Sequence, residues 1–340
     1  MAKGTTGAAV TYEAAPNIAL IKYWGVRDEA RAIPYNSSIS VTLEGLRTRT
    51  TVRFDAALPA DRLLLNGRSA TGGPLASVSR FLDRVRARAG RSEFASVRTR
   101  NNFPTASGLA SSASGFAALA GAASRAAGLE LTDAELSQLA RFGSGSASRS
   151  IFGGFVEWQA GHRPDGRDCV ARPLHPEGYW PELVDLVAVV DGAPQKSVRS
   201  EVAMQSSIRT SPRYAARQRA LPERLAAVRR ALARRDAERL FPRMIEECDD
   251  FRQVCETTDP PLDYLTGTSR GILAAIRGLN AAAERPVAGY THDAGAHVHL
   301  FTLEADLPRV RRALRSVQGI ARLHTLRPGP GGRYVDSPVR

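Results

Sequence analysis

Four short stretches of this chain carry residue types suited to chemistry rather than packing. The longest is Asn101–Gly115, NNFPTASGLASSASG, a run of small residues leading into an apolar helical pattern at Phe116–Ala127. Small residues let a backbone approach a ligand closely. A helix that begins there turns free N–H groups and its positive dipole end toward an anion. The stretch is either a phosphate site or a Ser/Ala-rich turn before a buried helix. It is not a Walker A loop, because no Lys follows its glycine, and it is not a GxGxxG turn. The second stretch sets Lys22 beside Tyr23, with Asn17 before them and Asn36–Ser40 after. Neighbours on a strand face opposite sides unless the strand ends there, so this is a surface strand or a site at a strand end. The third, Gly143–Ser150 (GSGSASRS), places Arg149 among small hydroxyl residues. A guanidinium fork suits a carboxylate or phosphate, and it equally suits the carbonyls of a helix terminus. The fourth, Thr291–His297, carries Asp293 in a glycine-containing turn, as a working carboxylate or as a turn residue.

Other chemistries fit less well. His297 and His299 share one strand face, His292 lies across a turn, and no Cys or Glu cluster accompanies them, which argues against a metal centre. Neither GxSxG nor HExxH occurs, which argues against a serine hydrolase or a zincin.

The elements that must position these residues alternate irregularly between strand and helix. Strand patterns are expected at Val10–Glu13, Ile18–Tyr23, Ser38–Leu43, Arg47–Phe54, Arg62–Asn66, Phe94–Arg100, Ile151–Trp158 and Leu183–Val190. Helical spacing is expected at Leu75–Ala89 and Phe116–Ala127, with a second helix of the pair opened by the capping box Thr132–Glu135. Gly192–Ser211 reads as a polar loop, and residues 212–280 as Arg-rich amphipathic helices separated at Pro242 and at Asp259–Leu262. The chain closes with strand, turn, strand, helix and strand from Val287 to Leu326, and a loop-like tail. Mixed order without regular βαβ alternation predicts an α+β fold. A boundary is expected near Asp191–Ser200, dividing the chain into lobes 1–190 and 191–340.

With 340 residues, 43% hydrophobic and 24% charged, the chain has the composition of a globular protein with a sizeable core. A formal charge of +13, mostly arginine, fits solvated helix faces, nucleic acid or an anionic small substrate. Aromatic residues are not interleaved with the basic ones, which weakens the nucleic-acid case. Three scattered cysteines predict a reducing compartment and no structural zinc. No apolar run approaches the ~18 residues of a membrane span, and the N-terminus has no signal-like core, so a soluble cytoplasmic protein is expected.

Together the four clusters resemble the GHMP small-molecule kinase superfamily, and within it the mevalonate diphosphate decarboxylase family. Ala15–Gly25 (APNIALIKYWG) and Asn36–Leu43 (NSSISVTL) resemble its opening motifs. Asn101–Ala113 resembles its ATP phosphate loop, Gly143–Gly154 its substrate loop, and Tyr290–Gly295 its catalytic-aspartate turn. The resemblance runs in order from about residue 8 to 326. It implies a two-lobed fold, with a ribosomal-protein-S5-domain-2-like N-terminal lobe, a ferredoxin-like C-terminal lobe and a cleft between them, usually in a homodimer. It also implies ATP-dependent 3-phosphorylation of mevalonate diphosphate, then loss of phosphate and CO₂ to leave isopentenyl diphosphate, with Mg²⁺ as cofactor and neither nucleic acid nor membrane as partner.

The resemblance assigns roles. Asn102, Thr105, Ser107, Gly108, Leu109, Ala110, Ser111 and Ser112 would cradle the ATP phosphates, with Ser111 or Ser112 reaching Mg²⁺. Asp293 would orient or deprotonate the C3 hydroxyl, and Lys22 would orient Asp293. Arg149 would hold the C1 carboxylate with Ser144 and Ser146 alongside. Tyr23, Lys196 and Ser207 would meet the terminal phosphate end. Two positions depart from the family pattern. Val26 stands where KYWGK has its second lysine, and Ser77 where an arginine is common, with Arg27 next door as a possible replacement. Each lost charge-assisted hydrogen bond to a diphosphate would cost about 1.5–3 kcal/mol. Phosphomevalonate, giving isopentenyl phosphate, is therefore the alternative substrate. The rival from another class is a non-catalytic basic nucleic-acid-binding protein. Against it, the Arg-rich helices mix in acids such as Glu223, Asp236 and Glu238.

Overall fold

Three larger, antiparallel-dominated sheets and one two-stranded ribbon organise the chain, and helices pack against each of the three. The structure is a computed structural model that describes residues 7–103, 111–193 and 198–339. In chain order the first part runs β1 (Val10–Ala14), β2 (Asn17–Ile21), β3 (Val26–Asp28), β4 (Ile33–Pro34), β5 (Ser38–Thr42), β6 (Thr48–Phe54), β7 (Arg62–Leu65), β8 (Arg68–Ala70), α1 (Gly72–Ala89), β9 (Ala95–Asn101), α2 (Ser111–Ala126), α3 (Asp133–Ala140), a 3₁₀ turn (Gly145–Ile151), β10 (Phe155–Trp158) and β11 (Ala171–His175). The second part runs β12 (Leu183–Val190), α4 (Ser200–Thr210), α5 (Tyr214–Arg234), α6 (Ala237–Glu256), α7 (Gly267–Ala281), β13 (Ala288–Thr291), β14 (Val298–Leu303), α8 (Leu307–Ala313), β15 (Ile320–Leu326) and β16 (Arg333–Tyr334). The sheets have the orders β16-β1-β6-β9-β7-β8, β11-β10-β5-β2 and β13-β14-β12-β15. This is the expected α+β architecture.

Each sheet buries its apolar face for a sequence reason. Val52, Phe54, Val97 and Leu63 alternate along β6, β9 and β7 and pack against α1 and α2. Helix α2 is rich in buried alanines, and its small side chains let it lie close against Tyr12 of β1. The capping box at Thr132 forms as expected, with Thr132 Oγ1 accepting from Glu135 N and Glu135 accepting from Thr132 N. Apart from Asp185, strand β12 is apolar, and both its faces are largely buried. Leu186, Ala188 and Val190 face the core shared with α7 and α8, while Val187 meets Phe103 of the first part. One core spans the two parts: Ile18, Leu20, Val41 and Phe155 meet Leu221, Val228, Leu240, Phe241 and Phe301.

Several expectations need correction. The described part of helix α2 starts at Ser111, five residues before the expected Phe116, and burial of Ala113 and Ser114 outweighs the low helix propensity of Ser and Gly there. The expected loop Gly192–Ser211 contains α4, whose Ala203, Met204 and Ser207 form a buried stripe. Pro242 lies inside α6 and Pro222 inside α5 without ending either helix; burial of Phe241 and Met244 offsets the missing N–H bond. The break falls instead at Arg235, in the left-handed region. The tail is not free loop: β16 adds to β1 at the sheet edge, and Gly329 exchanges backbone hydrogen bonds with Thr42 and Gly154. Strand β12 pairs with β14 and β15.

Phe301 is fully buried in the core that spans both parts. Phe301→Ala is expected to lower stability by about 3–5 kcal/mol, measured by urea unfolding. A loss under about 1 kcal/mol would mean that this contact is not core packing.

Candidate active site

Strand β2 stops at Ile21, so Lys22 and Tyr23 lie beyond the ladder. Lys22 Nζ donates to Asp293 Oδ1 at 2.8 Å, with the lysine side chain 4% and the carboxylate 28% exposed. Asp293 sits in the turn between β13 and β14. The turn is tied to the first part through Thr291 Oγ1, which donates to Ala19 O at 3.2 Å. Behind Lys22, Glu247 of α6 accepts from its N–H, and Asn36 and Arg217 donate to its carbonyl.

Arg149 lies opposite, buried in the 3₁₀ turn, and its held contacts are neutral. Nε donates to Asn17 Oδ1 at 3.1 Å and Nη1 to Ser38 Oγ at 2.6 Å. Asn17 in turn donates to Ser146 O and Ser150 Oγ, which fixes its amide orientation. Burial pushes the Arg149 guanidinium down to about 10, against the opposing pull of Asp293 and Tyr23. It therefore stays charged at neutral pH, in range of Asp293, with no carboxylate bonded to it. Such a cation keeps its attraction for an incoming carboxylate. Ser144 and Ser146 lie on the same turn with their hydroxyls 3.1 Å apart. The Tyr23 ring packs edge-on to Trp158 and passes so close to Gly145 that a Cβ there would fall 2.7 Å from the ring. Burial, first of all, raises the Tyr23 phenol well above its ordinary value, so it is a neutral hydrogen-bonding group.

Ser111 and Ser112 open the first turn of α2, partly exposed and exposed respectively. Their hydroxyls are hard oxygen donors suited to phosphate or Mg²⁺. A helix N-terminus repels a bare cation, so a metal here fits only when it arrives with phosphates. Among the described residues no group of three His, Cys, Asp or Glu could hold a metal ion. The three histidines are engaged separately: His292 with Asp293 O, His297 with Val190 N and His299 with Asp185.

Residues 14–171 match the diphosphomevalonate decarboxylase-like N-terminal domain, and residues 185–326 match the mevalonate 5-diphosphate decarboxylase C-terminal domain. The diphosphomevalonate decarboxylase of Bos taurus is 41% identical over 323 residues, covering 90% of this chain and 80% of that protein. A solved structure of the mevalonate diphosphate decarboxylase from Enterococcus faecalis superimposes with a TM-score of 0.89 at 34% identity, covering 98% of this chain and 100% of that one. A solved complex described as MDDEF with MVAPP, AMPPCP and magnesium gives a TM-score of 0.90 at 35% identity, covering 98% of this chain and 100% of that one. The chain belongs to the diphosphomevalonate decarboxylase family.

Against that family's expected site, the structure brings together Lys22, Tyr23, Arg149, Ser144, Ser146 and Asp293. Ser207 is not with them. It lies on the buried face of α4, fully enclosed, with its hydroxyl 2.8 Å from Thr258 Oγ1. Its side chain packs helices, and the expectation that it meets substrate phosphate is corrected. Asn102 anchors the loop entry rather than facing a ligand: its amide donates to Gly45 O and accepts from Arg47 N. Lys196, Thr105, Ser107, Gly108, Leu109 and Ala110 lie outside the described residues. The Arg27 guanidinium, next to Val26, donates to Ala160 O and Gly161 O.

Sequence reasoning noticed Asn17 and Ser38 without giving them a role, and it missed Glu247 and Arg217. The missed pair had a signal. Leu240, Met244, Glu247 and Phe251 follow helical spacing on the buried stripe of α6, as do Tyr214, Arg217, Leu221, Arg224 and Val228 on α5. Charged residues inside such a stripe are paired or costly.

His292 is 1% exposed, and its Nδ1–H donates to Asp293 O at 2.7 Å. Burial is the chief cause that pushes its imidazole down to about 4. Below the ordinary histidine value the unfolded chain takes up a proton that the folded site refuses, so stability falls as pH drops from about 6.5 toward 4. His292 is expected to account for up to about 3 kcal/mol of that loss. Urea unfolding at pH 7 and pH 4.5 checks this, with His292→Gln expected to flatten the difference; an equal pH slope in the variant would refute it.

Proposed function

We propose that this chain catalyses the ATP-dependent decarboxylation of mevalonate diphosphate to isopentenyl diphosphate, releasing ADP, phosphate and CO₂. The observation that carries the reading is the meeting, in one cleft, of the Lys22–Asp293 pair and the neutrally held Arg149. The reaction asks for a carboxylate at the C3 hydroxyl and a cation at the C1 carboxylate. The Enterococcus faecalis relative is named for mevalonate diphosphate and ATP binding, which supports the same substrates here.

Asp293 accepts a hydrogen bond from the C3 hydroxyl and receives its proton as the oxygen is phosphorylated. Lys22 holds the carboxylate at the angle the hydroxyl meets. Arg149 orients the C1 carboxylate by charge and fork geometry, and Asn17 and Ser38 keep that fork from swinging. Because neutral groups hold Arg149, it fixes the carboxylate without adding a rival anion to the site. Departure of the C3 phosphate and cleavage of the C1–C2 bond then leave the alkene and CO₂. Mg·ATP supplies the phosphoryl group and the charge neutralisation that Ser111 and Ser112, at the start of α2, are placed to support.

The lobes are proposed to divide between β11 and β12, the tail after Leu326 returning to the first lobe. The two domain matches leave the same gap at 171–185, which supports this division. Cytoplasmic action fits three buried, unpaired cysteines, and a homodimer follows the family resemblance. Among the described residues no helix is long and apolar enough to cross a membrane.

Purified protein given mevalonate diphosphate or phosphomevalonate, with ADP and CO₂ measured separately, tests the substrate. Turnover is expected to favour the diphosphate with equal ADP and CO₂. A preference for the monophosphate would assign Val26 and Arg27 to a smaller phosphate pocket, and ADP without CO₂ would refute a decarboxylase. Asp293→Asn is expected to keep ATP-analogue binding and lower kcat by about 10²–10⁴-fold; near-normal turnover would remove Asp293 from the chemistry.

A further inference from the structure

A fully buried ion network stands directly behind the cleft. Glu247 and Arg217 are both completely buried, and Arg224 nearly so. Arg217 Nη2 donates to Glu247 Oε1 and Arg224 Nη1 to Glu247 Oε2. Arg224 also pairs with Asp250 and Glu246 at the rim of the network. A buried network of this kind is a poor source of stability, because desolvating the charges opposes their attraction. It also leaves Arg217 Nε and Nη1 and Arg224 Nε without a protein partner. Apolar residues at these stripe positions would pack as well, so the network's use must lie in what it holds.

What it holds is the main chain of Lys22. The β2–β5 ladder ends at the Ile21–Ile39 pair, so the next N–H and C=O have no strand partner. Glu247 Oε1 accepts from Lys22 N at 3.1 Å, and Arg217 Nη2 donates to Lys22 O at 2.9 Å while it also holds Glu247. Asn36 Nδ2 adds a second donor to the same carbonyl at 2.9 Å. Both polar groups of one peptide segment are thus gripped by charged side chains from α5 and α6, across the lobe boundary. The same residue sends its Nζ forward to Asp293.

We infer that Glu247 and Arg217 are positioning residues for the Lys22–Asp293 pair, gripping the Lys22 backbone from behind so that its ammonium meets the carboxylate at one fixed point. The inference rests on the proposed role of Lys22 and Asp293 at the C3 hydroxyl. Neither Glu247 nor Arg217 touches substrate; both act through Lys22.

Glu247→Gln tests it. The amide keeps an oxygen for Lys22 N–H but removes the charge that anchors Arg217 and Arg224. It is expected to lower kcat about tenfold to a hundredfold, with KM for ATP and mevalonate diphosphate changed by no more than about twofold. Glu157→Gln is the control: Glu157 is 3% exposed and paired across the same lobes with Arg229 rather than with Lys22. It is expected to lose stability while kcat per folded molecule stays unchanged. Should Glu247→Gln fail to fold, Arg217→Lys replaces it, since an ammonium keeps the charge but not the planar guanidinium whose Nη2 bonds both Glu247 and the Lys22 carbonyl. Combined with Lys22→Ala, either variant is expected to cost nothing further in kcat. Losses that multiply, or a kcat loss no larger than that of Glu157→Gln, overturn the inference alone. Near-normal turnover of Lys22→Ala overturns the parent reading as well.

Discussion

One ion pair, Lys22 with Asp293, joins residues 271 apart in sequence and sets the geometry around which both lobes are arranged. A half-open pair of this kind is sensitive to its surroundings. Water weakens the attraction from one side, and the protein must supply fixed geometry from the other. Here the fixing comes from behind, through the main chain of Lys22, and from the side, where the turn carrying Asp293 is bonded to β2 by Thr291. The shared core of Ile18, Leu20, Phe155, Phe241 and Phe301 prevents the two halves of the pair from drifting apart.

Arginine serves this structure in three distinct ways, which the net charge of +13 conceals. Many arginines lie on solvated faces and pair with nearby acids, as Arg270 does with Glu256 and Asp263. Arg217 and Arg224 are buried and neutralised by Glu247. Arg149 is buried and held by neutral oxygens, the arrangement that leaves a cation free to bind an anion. The difference lies in the partner each guanidinium finds, and that partner comes from a distant element in the second and third cases.

Much of the architecture was legible. Strand alternation, the Thr132 capping box and the apolar run of β12 each express a local preference that the tertiary structure agrees with. The misses share a cause. Helix α4 and the unbroken α6 exist because a distant surface buries their apolar stripes, against local polarity in one and a proline in the other. The resemblance set Ser207 at the substrate phosphate, yet the register of α4 turns it inward to Thr258. The tail looked like free loop because glycines and a proline read as turns, but they let it pass close to Gly153 and Gly154 before β16 joins β1.

The sequence by itself determined the cast: a small-residue stretch before a helix, an arginine among hydroxyls, a lysine at a strand end and an aspartate in a turn. These are short-range facts, because residue type and spacing set what a segment can do. Only the tertiary structure decided who meets whom. It put Lys22 against Asp293, gave Arg149 neutral neighbours and set Glu247 behind the strand end. Those pairings depend on lobe packing and helix register, which no local window of sequence contains.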